Sequence, residues 1–552
     1  MKLQIKNIAS LALITSWLLA GCSKSFFDRV PGTSVTTGSY YQTADQLAAA
    51  TTPLYGTPWF GWNNKCGWSL TEISGGNLRS WSSDVAPFGT MPVSSDNPEL
   101  RTLWNSPFTV VAQCNALITN ISTANTSAIA QNAINNALGE AHLMRAVAYF
   151  YLVRSFGNVP LIENPSDNID DFQNVPTRSI PDVYKFIVRD LKFAEANCTP
   201  NVAATGHGSS GSASAMLAKV YLYMQNYDSA RIEAEKVINS GEFSLLPNFG
   251  DLFITNNNNN KESILAMQWT PHGPGTGYDY GNSIQASWAY SSSITQTGDG
   301  YGSAAPTIDL VKAFEAEGGD TVRRHFTIML PGEHYAELDV NNGGYTLPLN
   351  ASSQGTQAQC KKYVIGAPGD PDNSLAPPIA QAGGNNTYIM RYADILLIEA
   401  EAILGQQAKP VTSKGIDTSA ATSDPTALKY YNMVRARAGA PQVTSFTYKQ
   451  LLNERRLEFA LEQDYWFDLG RIDGFKATTT NNGIQSAPHP VARAIIAQQE
   501  RGTYANNYPD KSVLYSSKVT LTDDNFYCLV PSNESSSDPQ LLQSPVPYDF
   551  TW

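Results

Sequence analysis

Carboxylate side chains are the groups of this chain best suited by type to acid–base chemistry, and they form two clusters. One contains Glu399 and Glu401, and the other runs from Glu454 through Glu458 to Asp468. In most glycosidases, two carboxyl groups about 5 to 9 Å apart cleave the glycosidic bond. Arginines lie on or beside the same segments, so ion pairs explain these carboxylates without catalysis. We therefore predict no catalytic residue, with a glycoside hydrolase as the less favoured alternative.

Other signals of catalysis or metal binding are missing from the sequence. The 6 histidines are scattered and lack a metal-site spacing such as HExxH. Neither a GxSxG nor a GxxxxGK[ST] pattern occurs. The cysteines that follow Cys22 are widely spaced, so they indicate no metal site and no disulfide framework, although they leave room for one bridge. We predict no metal ligand and no cofactor.

Charge and hydropathy restrict the partners of the chain. Its net charge is −12 at pH 7, and no basic stripe of the kind that phosphate binding needs is visible. We therefore expect no nucleic-acid partner. No hydrophobic run is long enough to cross a bilayer.

Two segments rich in aromatic residues are better candidates for a site. Glycine, asparagine and serine surround the aromatics, which predicts loops. Sugar rings stack on indole or phenol, and their hydroxyls need fixed donors and acceptors. Any single tryptophan could instead be buried, but two such segments on one scaffold favour binding. We predict ligand contacts for Trp62, Trp68, Arg79, Trp81, Asp84, Trp288, Tyr290 and Tyr301.

Helices must position these segments, and the strongest helical pattern runs from 137 to 160. Apolar or small residues recur there at i, i+3, i+4 and i+7, on more than one side of the helix. We therefore expect several neighbours to pack around it, with Gly157 and Pro160 ending it. Further helices are predicted at 45–55, 181–197, 306–315, 391–404, 426–438 and 448–469.

Between these helices the pattern changes twice. Residues 217–237 fit the helix–turn–helix of a tetratricopeptide repeat. A strand is predicted at 264–269. Apart from the helix at 306–315, the rest of 256–390 is predicted to be mostly irregular, with turns and short strands at 331–378. A connection of this length is usually functional. The helical scaffold therefore comes in two blocks, separated by a loop-rich insertion.

The N-terminus carries an export signal. Lys2 and Lys6 precede an apolar segment at 8–19 that is too short to span a membrane. The sequence Leu19-Ala20-Gly21-Cys22 follows at once and resembles the lipobox of bacterial lipoproteins, in which Cys22 would carry the lipid. Acyl chains hold a protein body on a membrane without a transmembrane helix. The alternative is a soluble export signal with an incidental cysteine.

Motifs spread over almost the whole mature chain resemble one family. They lie at 26–31, 104–118, 140–161, 302–314, 391–402, 454–471 and 531–545. The most specific is Arg391-Tyr392-Ala393-Asp394, followed by Glu399-Ala400-Glu401-Ala402. Together they resemble the SusD/RagB family, the surface lipoproteins of Bacteroidetes that partner TonB-dependent transporters. Ser544 stands where the closing motif of the family usually has asparagine.

The resemblance implies both a fold and a function. The fold would be mainly α, a tetratricopeptide-containing helical scaffold with a large loop-rich insertion face. The protein would be a non-catalytic lipoprotein on the outer membrane, exposed at the cell surface. It would capture oligosaccharides and deliver them to a SusC-like TonB-dependent transporter; some relatives capture peptides instead. The ligand residues of the family share no motif, so our eight site residues depend on residue type and position alone.

The same reasoning divides the chain into five parts. Residues 1–21 would be the lipoprotein signal peptide and 22–37 the lipidated tether. An N-terminal helical region with the first aromatic segment would cover 38–255. The loop-rich, ligand-binding insertion would cover 256–390, and a C-terminal helical region with an extended tail would cover 391–552.

Overall fold

The computed structural model describes most of the chain after the predicted tether. The described residues are 40–124, 126–164, 173–200, 206–271, 277–318, 320–373, 380–407, 416–474, 479–481, 483–505 and 518–550. The predicted signal peptide and lipidation site, Cys22, lie outside these ranges. None of the helices within them is long and apolar enough to cross a membrane.

Helices dominate the described residues, which confirms the mainly α prediction. The helices are α1 (Ala44–Thr51), α2 (Pro98–Thr123), α3 (Gln131–Phe156), α4 (Ile180–Asn197), α5 (Ser210–Tyr223), α6 (Tyr227–Ser240), α7 (Ile284–Trp288), α8 (Ser292–Thr295), α9 (Ile308–Ala316), α10 (Thr321–Thr327), α11 (Tyr392–Gln407), α12 (Pro425–Arg437), α13 (Tyr448–Phe459), α14 (Tyr465–Arg471), α15 (Pro490–Gln498) and α16 (Ser532–Ser537).

The strands are short and pair two by two in antiparallel fashion. They are β1 (Leu78–Arg79), β2 (Ser263–Met267), β3 (Ala305–Pro306), β4 (Ile328–Met329), β5 (His334–Tyr335), β6 (Tyr345–Thr346), β7 (Gln359–Cys360), β8 (Thr387–Arg391), β9 (Ala421–Thr422), β10 (Phe446–Thr447), β11 (Thr479–Asn481) and β12 (Ile484–Ser486). The pairs are β1–β3, β2–β8, β4–β7, β5–β6, β9–β10 and β11–β12. Most of them lie within the insertion, as its turn-rich sequence predicted.

The long helix α3 lies at the centre of the first helical block, as its two apolar stripes predicted. Almost every residue from Gly139 to Phe156 is buried. Its Arg145 donates two hydrogen bonds to Asp190 of α4, at 2.7 and 2.9 Å, and one to Asn115 of α2, at 2.8 Å. The helix ends at Gly157, whose φ of +72° only glycine adopts without strain.

The helices pack in sequence order. Helix α2 packs on α3, α3 on α4, α4 on α5 and α5 on α6; α6 then packs on α11 and α11 on α12. The predicted helix pair at 217–237 corresponds to α5 and α6, with residues 224–226 as the turn. This succession suits tandem helix pairs, and the repeat assignment itself stays a prediction.

The helix predicted at 448–469 is broken in two. Helix α13 ends at Phe459, α14 begins at Tyr465, and Leu461 and Gln463 between them adopt φ of +67° and +65°. The reason is the buried carboxylate of Glu72. It accepts hydrogen bonds from the backbone N–H groups of Leu461 at 3.1 Å and Gln463 at 2.8 Å. A distant residue therefore turns a chain whose local sequence favours a continuous helix.

The first aromatic segment was predicted as a loop, and that prediction was wrong. Residues 52–73 form successive 3₁₀ and π turns, and the side chains of Trp59, Trp62 and Trp68 are buried beneath them. Glycine and asparagine at these positions suggested exposure, but the apolar rings between them are packed against α2 and α3.

A buried ion network joins the insertion to the C-terminal helices. The carboxylate of Glu458 accepts from Arg391 at 2.6 Å, from Arg323 at 3.0 Å and from Arg437. Arg391 also donates to Glu462 at 2.7 Å and to Glu262 at 2.8 Å. The arginines hold the pKa of Glu458 well below its usual range despite complete burial. The interpretation of this carboxylate cluster as ion pairs is thereby confirmed.

We expect Glu458→Gln to lower the free energy of unfolding by about 3 to 5 kcal/mol, because it leaves buried arginines without their shared counter-charge. Urea unfolding at pH 7 measures the change. Asp524→Asn, at an exposed position, should stay within about 0.5 kcal/mol of the wild type. A loss below about 1 kcal/mol in Glu458→Gln would contradict the structural role of the network.

Glu399 of α11, in the first of the predicted carboxylate clusters, carries a raised pKa. Its side chain is buried, and the Nε of Arg231 on α6 lies 3.3 Å from one carboxylate oxygen. Burial, with the nearby charge of Glu235 adding to it, raises the pKa of Glu399 to about 7. The unfolded chain has the ordinary pKa of 4.5 at this residue. Between about pH 4.5 and pH 7 the folded protein therefore binds more protons at Glu399 than the unfolded chain does.

The stability contributed by this proton is therefore present at low pH and is lost as the pH rises towards 7. We expect Glu399→Gln to be more stable than the wild type by about 1 to 3 kcal/mol at pH 8 and nearly equal at pH 4.5. Urea unfolding of both proteins at the two pH values is the measurement. A variant less stable than the wild type at pH 8 would show that the ionised carboxylate is favourable instead.

Candidate functional site

Three of the predicted site tryptophans lie in the core. Trp62, Trp68 and Trp288 are almost completely buried, which corrects the prediction that they contact a ligand. The rings of Trp68 and Trp288 lie 6.1 Å apart, edge to face. The two aromatic segments thus meet inside the protein, and burial of these large apolar rings stabilises the fold.

Two other predicted residues are committed to local contacts. Asp84 forms an ion pair with Lys65, whose Nζ also lies 3.6 Å from Glu99. Tyr290 is half-buried and packs against the core. Each of these side chains already has a contact within the protein, and its role in binding stays a prediction.

The remaining aromatic residues predicted for the site, Trp81 and Tyr301, are exposed. Their side chains have 59% and 57% of their surface accessible to solvent. Of the tryptophans that the structure describes, Trp81 alone is exposed. Because a solvated indole forgoes the free energy of burial, an exposed tryptophan commonly marks a binding surface.

A single glutamine ties these two aromatic residues together. The side-chain oxygen of Gln354 accepts from the backbone N–H of Trp81 at 2.6 Å, and its amide donates to the carbonyl of Gly302 at 2.6 Å. Gly302 directly follows Tyr301 in the sequence. We call the surface formed by Trp81, Tyr301 and Gln354 the aromatic face.

The backbone beneath Trp81 is fixed on two sides. Strand β1 pairs with β3, and the hydroxyl of Ser80 donates to the carbonyl of Ser303 at 2.7 Å. Gly355 lies under the indole with φ of +75°, and a Cβ there would lie only 2.5 Å from the ring. The ring is therefore held in place before any ligand arrives, which lowers the entropy cost of binding.

Tyr301 is positioned by a second glutamine. The amide of Gln381 donates to the Tyr301 hydroxyl at 3.4 Å, and the backbone N–H of Gln381 donates to Asp299 at 2.6 Å. The amides of Gln354 and Gln381 supply hydrogen-bonding groups beside the two rings. An arrangement of open rings with nearby amides suits a sugar, whose ring face is apolar and whose edge is polar.

Two further exposed aromatic residues, Tyr278 and Tyr280, belong to the same region of the surface. Their exposed fractions are 55% and 46%. The segment that follows them is bridged to the one holding Gln381, through Asn282 and Gly383. These tyrosines were not selected in the sequence analysis. Their glycine neighbours gave no usable signal, because the buried Trp62 and Trp68 also have glycine neighbours.

Arg79 is the last residue of β1, and Trp81 follows two residues later. The guanidinium carbon of Arg79 lies over the Trp81 ring, 5.4 Å from the ring centre. The structure thus brings three of the eight predicted residues, Arg79, Trp81 and Tyr301, to one face.

The carboxylates considered for glycoside hydrolysis are occupied elsewhere. Glu454 pairs with Arg323 at 2.7 Å and Arg435 at 2.6 Å, and Glu401 pairs with Arg471. All of these side chains are buried, so they are far from solvent and closed to a polysaccharide. The five cysteines within the described ranges are also buried and unbridged.

Comparisons with known proteins agree with this architecture. Residues 261–547 match a family model described as the SusD family, and residues 76–222 match one described as starch-binding, associating with outer membrane. A SusD-like protein of Bacteroides ovatus is 30% identical, with 100% of both chains aligned. SusD-like protein P2 of Formosa agariphila is 24% identical over 85% of this chain and 92% of its own.

Among solved structures, a crystal structure with xylogluco-oligosaccharide is similar to this one. Its TM-score is 0.75 at 28% identity, over 92% of this chain and 100% of that chain. The predicted SusD-like helical fold is therefore confirmed.

The division of tryptophans into core and surface is testable by truncation. We expect Trp68→Ala to lower the free energy of unfolding by about 3 to 5 kcal/mol, since it empties a buried site. Trp81→Ala should lower it by less than about 1 kcal/mol, because most of its ring is solvated. Urea unfolding measures both, and equal losses would contradict the division.

Proposed function

This chain belongs to the SusD family, and on that premise we propose that it captures oligosaccharides on its aromatic face without cleaving them. The observation that carries the proposal is the pair of exposed rings, Trp81 and Tyr301, linked through Gln354. Hydrogen bonds fix the backbone N–H of Trp81, the carbonyl of Gly302 next to Tyr301, and the Tyr301 hydroxyl, so the surface is formed in advance.

The expected affinity is modest. Ring stacking contributes about 0.5 to 1.5 kcal/mol for each aromatic beyond its burial, so a few rings give micromolar to millimolar dissociation constants. The relative crystallised with xylogluco-oligosaccharide supports a saccharide ligand. Peptide capture on the same scaffold is the rival that binding measurements must separate.

The location of the clustered carboxylates supports capture without cleavage. Catalysis needs an accessible acid and base beside the scissile bond. The clustered carboxylates of this chain are buried in ion pairs with arginine instead. The aromatic face, with Gln381 and Arg79 beside it, offers rings, amides and a guanidinium, which are groups that bind sugars.

The proposed setting is the cell surface. A lipid on Cys22 would anchor the protein in the outer membrane, and the helical back would contact a SusC-like TonB-dependent transporter. The match to a family model described as associating with outer membrane supports this location. Tethering beside a transporter raises the effective ligand concentration, which makes weak capture useful.

Titration calorimetry of the full chain, purified in detergent, against panels of glycans and peptides tests the capture. We expect at least one oligosaccharide to bind, and Trp81→Ala and Tyr301→Ala each to weaken it by about 2- to 10-fold. Phe193→Ala removes a partly exposed aromatic ring from α4 and should leave the affinity unchanged. Binding of peptides alone, or release of reducing sugar from a bound glycan, would contradict the proposal.

The location and partner have a separate test. Affinity capture from detergent-extracted membranes should bring a large β-barrel protein with the full chain. Cys22→Ser should move the protein out of the membrane fraction. Recovery of the wild type in the soluble periplasmic fraction would refute the anchor.

A further inference from the structure

Among the residues that the structure describes, the guanidinium of Arg79 has no hydrogen-bond acceptor and no counter-charge. Its Nε is buried and makes no hydrogen bond, and no carboxylate among the described residues lies within ion-pair distance of it. Its indole contact with Trp81, at 5.4 Å, is the interaction that holds it. Burial lowers the pKa of Arg79 from its ordinary value, as expected for a cation that has lost water and gained no counter-charge.

This isolation is unusual in this protein. Every other arginine within the described ranges donates at least one side-chain hydrogen bond, to a carboxylate, an amide or a backbone carbonyl. Even Arg501, which is buried without a carboxylate, donates to Gln499, to Ser74 and to Gly89. Where a guanidinium is partly desolvated, compensation by an acceptor is the rule, so the missing acceptor of Arg79 points to a ligand.

The position of Arg79 identifies what kind of ligand group it could meet. Its guanidinium carbon lies over the Trp81 ring, 5.4 Å from the ring centre. A sugar that stacks on the open part of the same indole would bring the substituents at its edge towards the guanidinium. The two parallel N–H groups of arginine match the oxygens of a carboxylate or sulfate, and such charged hydrogen bonds are about twice as strong as neutral ones.

We infer that Arg79 makes the aromatic face selective for an acidic oligosaccharide, one that carries a uronate carboxylate or a sulfate on the sugar stacked at Trp81. This inference rests on the proposed capture function. A neutral hydroxyl would accept only an ordinary hydrogen bond from Arg79 and would leave its charge uncompensated.

Overall charge cannot produce such a preference. The chain has a net charge of −12, so its long-range field repels an anionic sugar. A preference for acid over neutral saccharides must therefore come from a local cation. Trp81 and Tyr301 would bind both kinds of sugar through their ring faces, and Arg79 would supply the difference.

Matched pairs of saccharides separate these contributions. The probes are oligogalacturonate and its methyl ester, β-1,4-gluco-oligosaccharide and its C6-oxidised form, and a sulfated oligosaccharide with its desulfated counterpart. Titration of the full chain at low salt should show the acidic member of a bound pair binding about tenfold more tightly. The difference should shrink in 0.5 M NaCl because salt screens a partly exposed ion pair.

Two variants assign the preference to Arg79. Arg79→Gln should abolish the difference between the two members of the pair, because it weakens binding of the acidic member far more than that of the neutral one, and Arg79→Lys should keep part of the preference because it keeps the charge. Lys185→Gln removes one positive charge from the exposed side of α4 and should retain the full preference. Thermal unfolding of each variant checks that the fold is intact.

The outcomes distinguish this inference from the capture proposal. Neutral saccharides that bind as tightly as acidic ones in every bound pair, with dependence on Trp81, would overturn the inference and leave capture standing. A preference unchanged in Arg79→Gln would also overturn it. If no saccharide of any charge binds, both the inference and the capture function fail.

Discussion

The rest of the architecture depends on the ion pairs that the buried carboxylate of Glu458 makes with three arginines. This carboxylate accepts hydrogen bonds from Arg323 in the insertion, from Arg391 at the end of β8 and from Arg437 at the end of α12. A buried charge is tolerated only where opposite charges surround it. These three segments, distant in sequence, must therefore come together in one arrangement before any of them can be buried.

That requirement fixes the insertion to the scaffold and so fixes the aromatic face. Strand β8 ends at Arg391 and pairs with β2, while Lys362 donates to Glu462 at 2.8 Å from another part of the insertion. The segments carrying Trp81, Tyr301 and Gln354 are joined to this anchored body by β1–β3 and by hydrogen bonds between side chains and backbone. Rigid support beneath exposed rings is what a pre-formed binding surface needs.

Local sequence predicted most of the helices and the ion pairs, but it could not separate core from surface. The periodic apolar stripes of α3 and the glycine that ends it are local signals, and both predictions were confirmed. Burial of Trp68 depends on Trp288, which lies in another segment of the chain. The break between α13 and α14 depends on Glu72. Such long-range contacts cannot be recognised in the local sequence, so five of the eight predicted residues were not brought to the aromatic face.

The domain boundaries and the lipid anchor stay predictions.

The central claim is that a saccharide stacks on the rings of Trp81 and Tyr301, which this fold holds exposed to solvent. A crystal structure of the protein with a bound oligosaccharide tests that claim most directly. The account predicts a sugar ring lying against the indole of Trp81, with its polar edge reaching Gln354 or Arg79. A saccharide bound elsewhere, with Trp81 and Tyr301 still facing solvent, would contradict it.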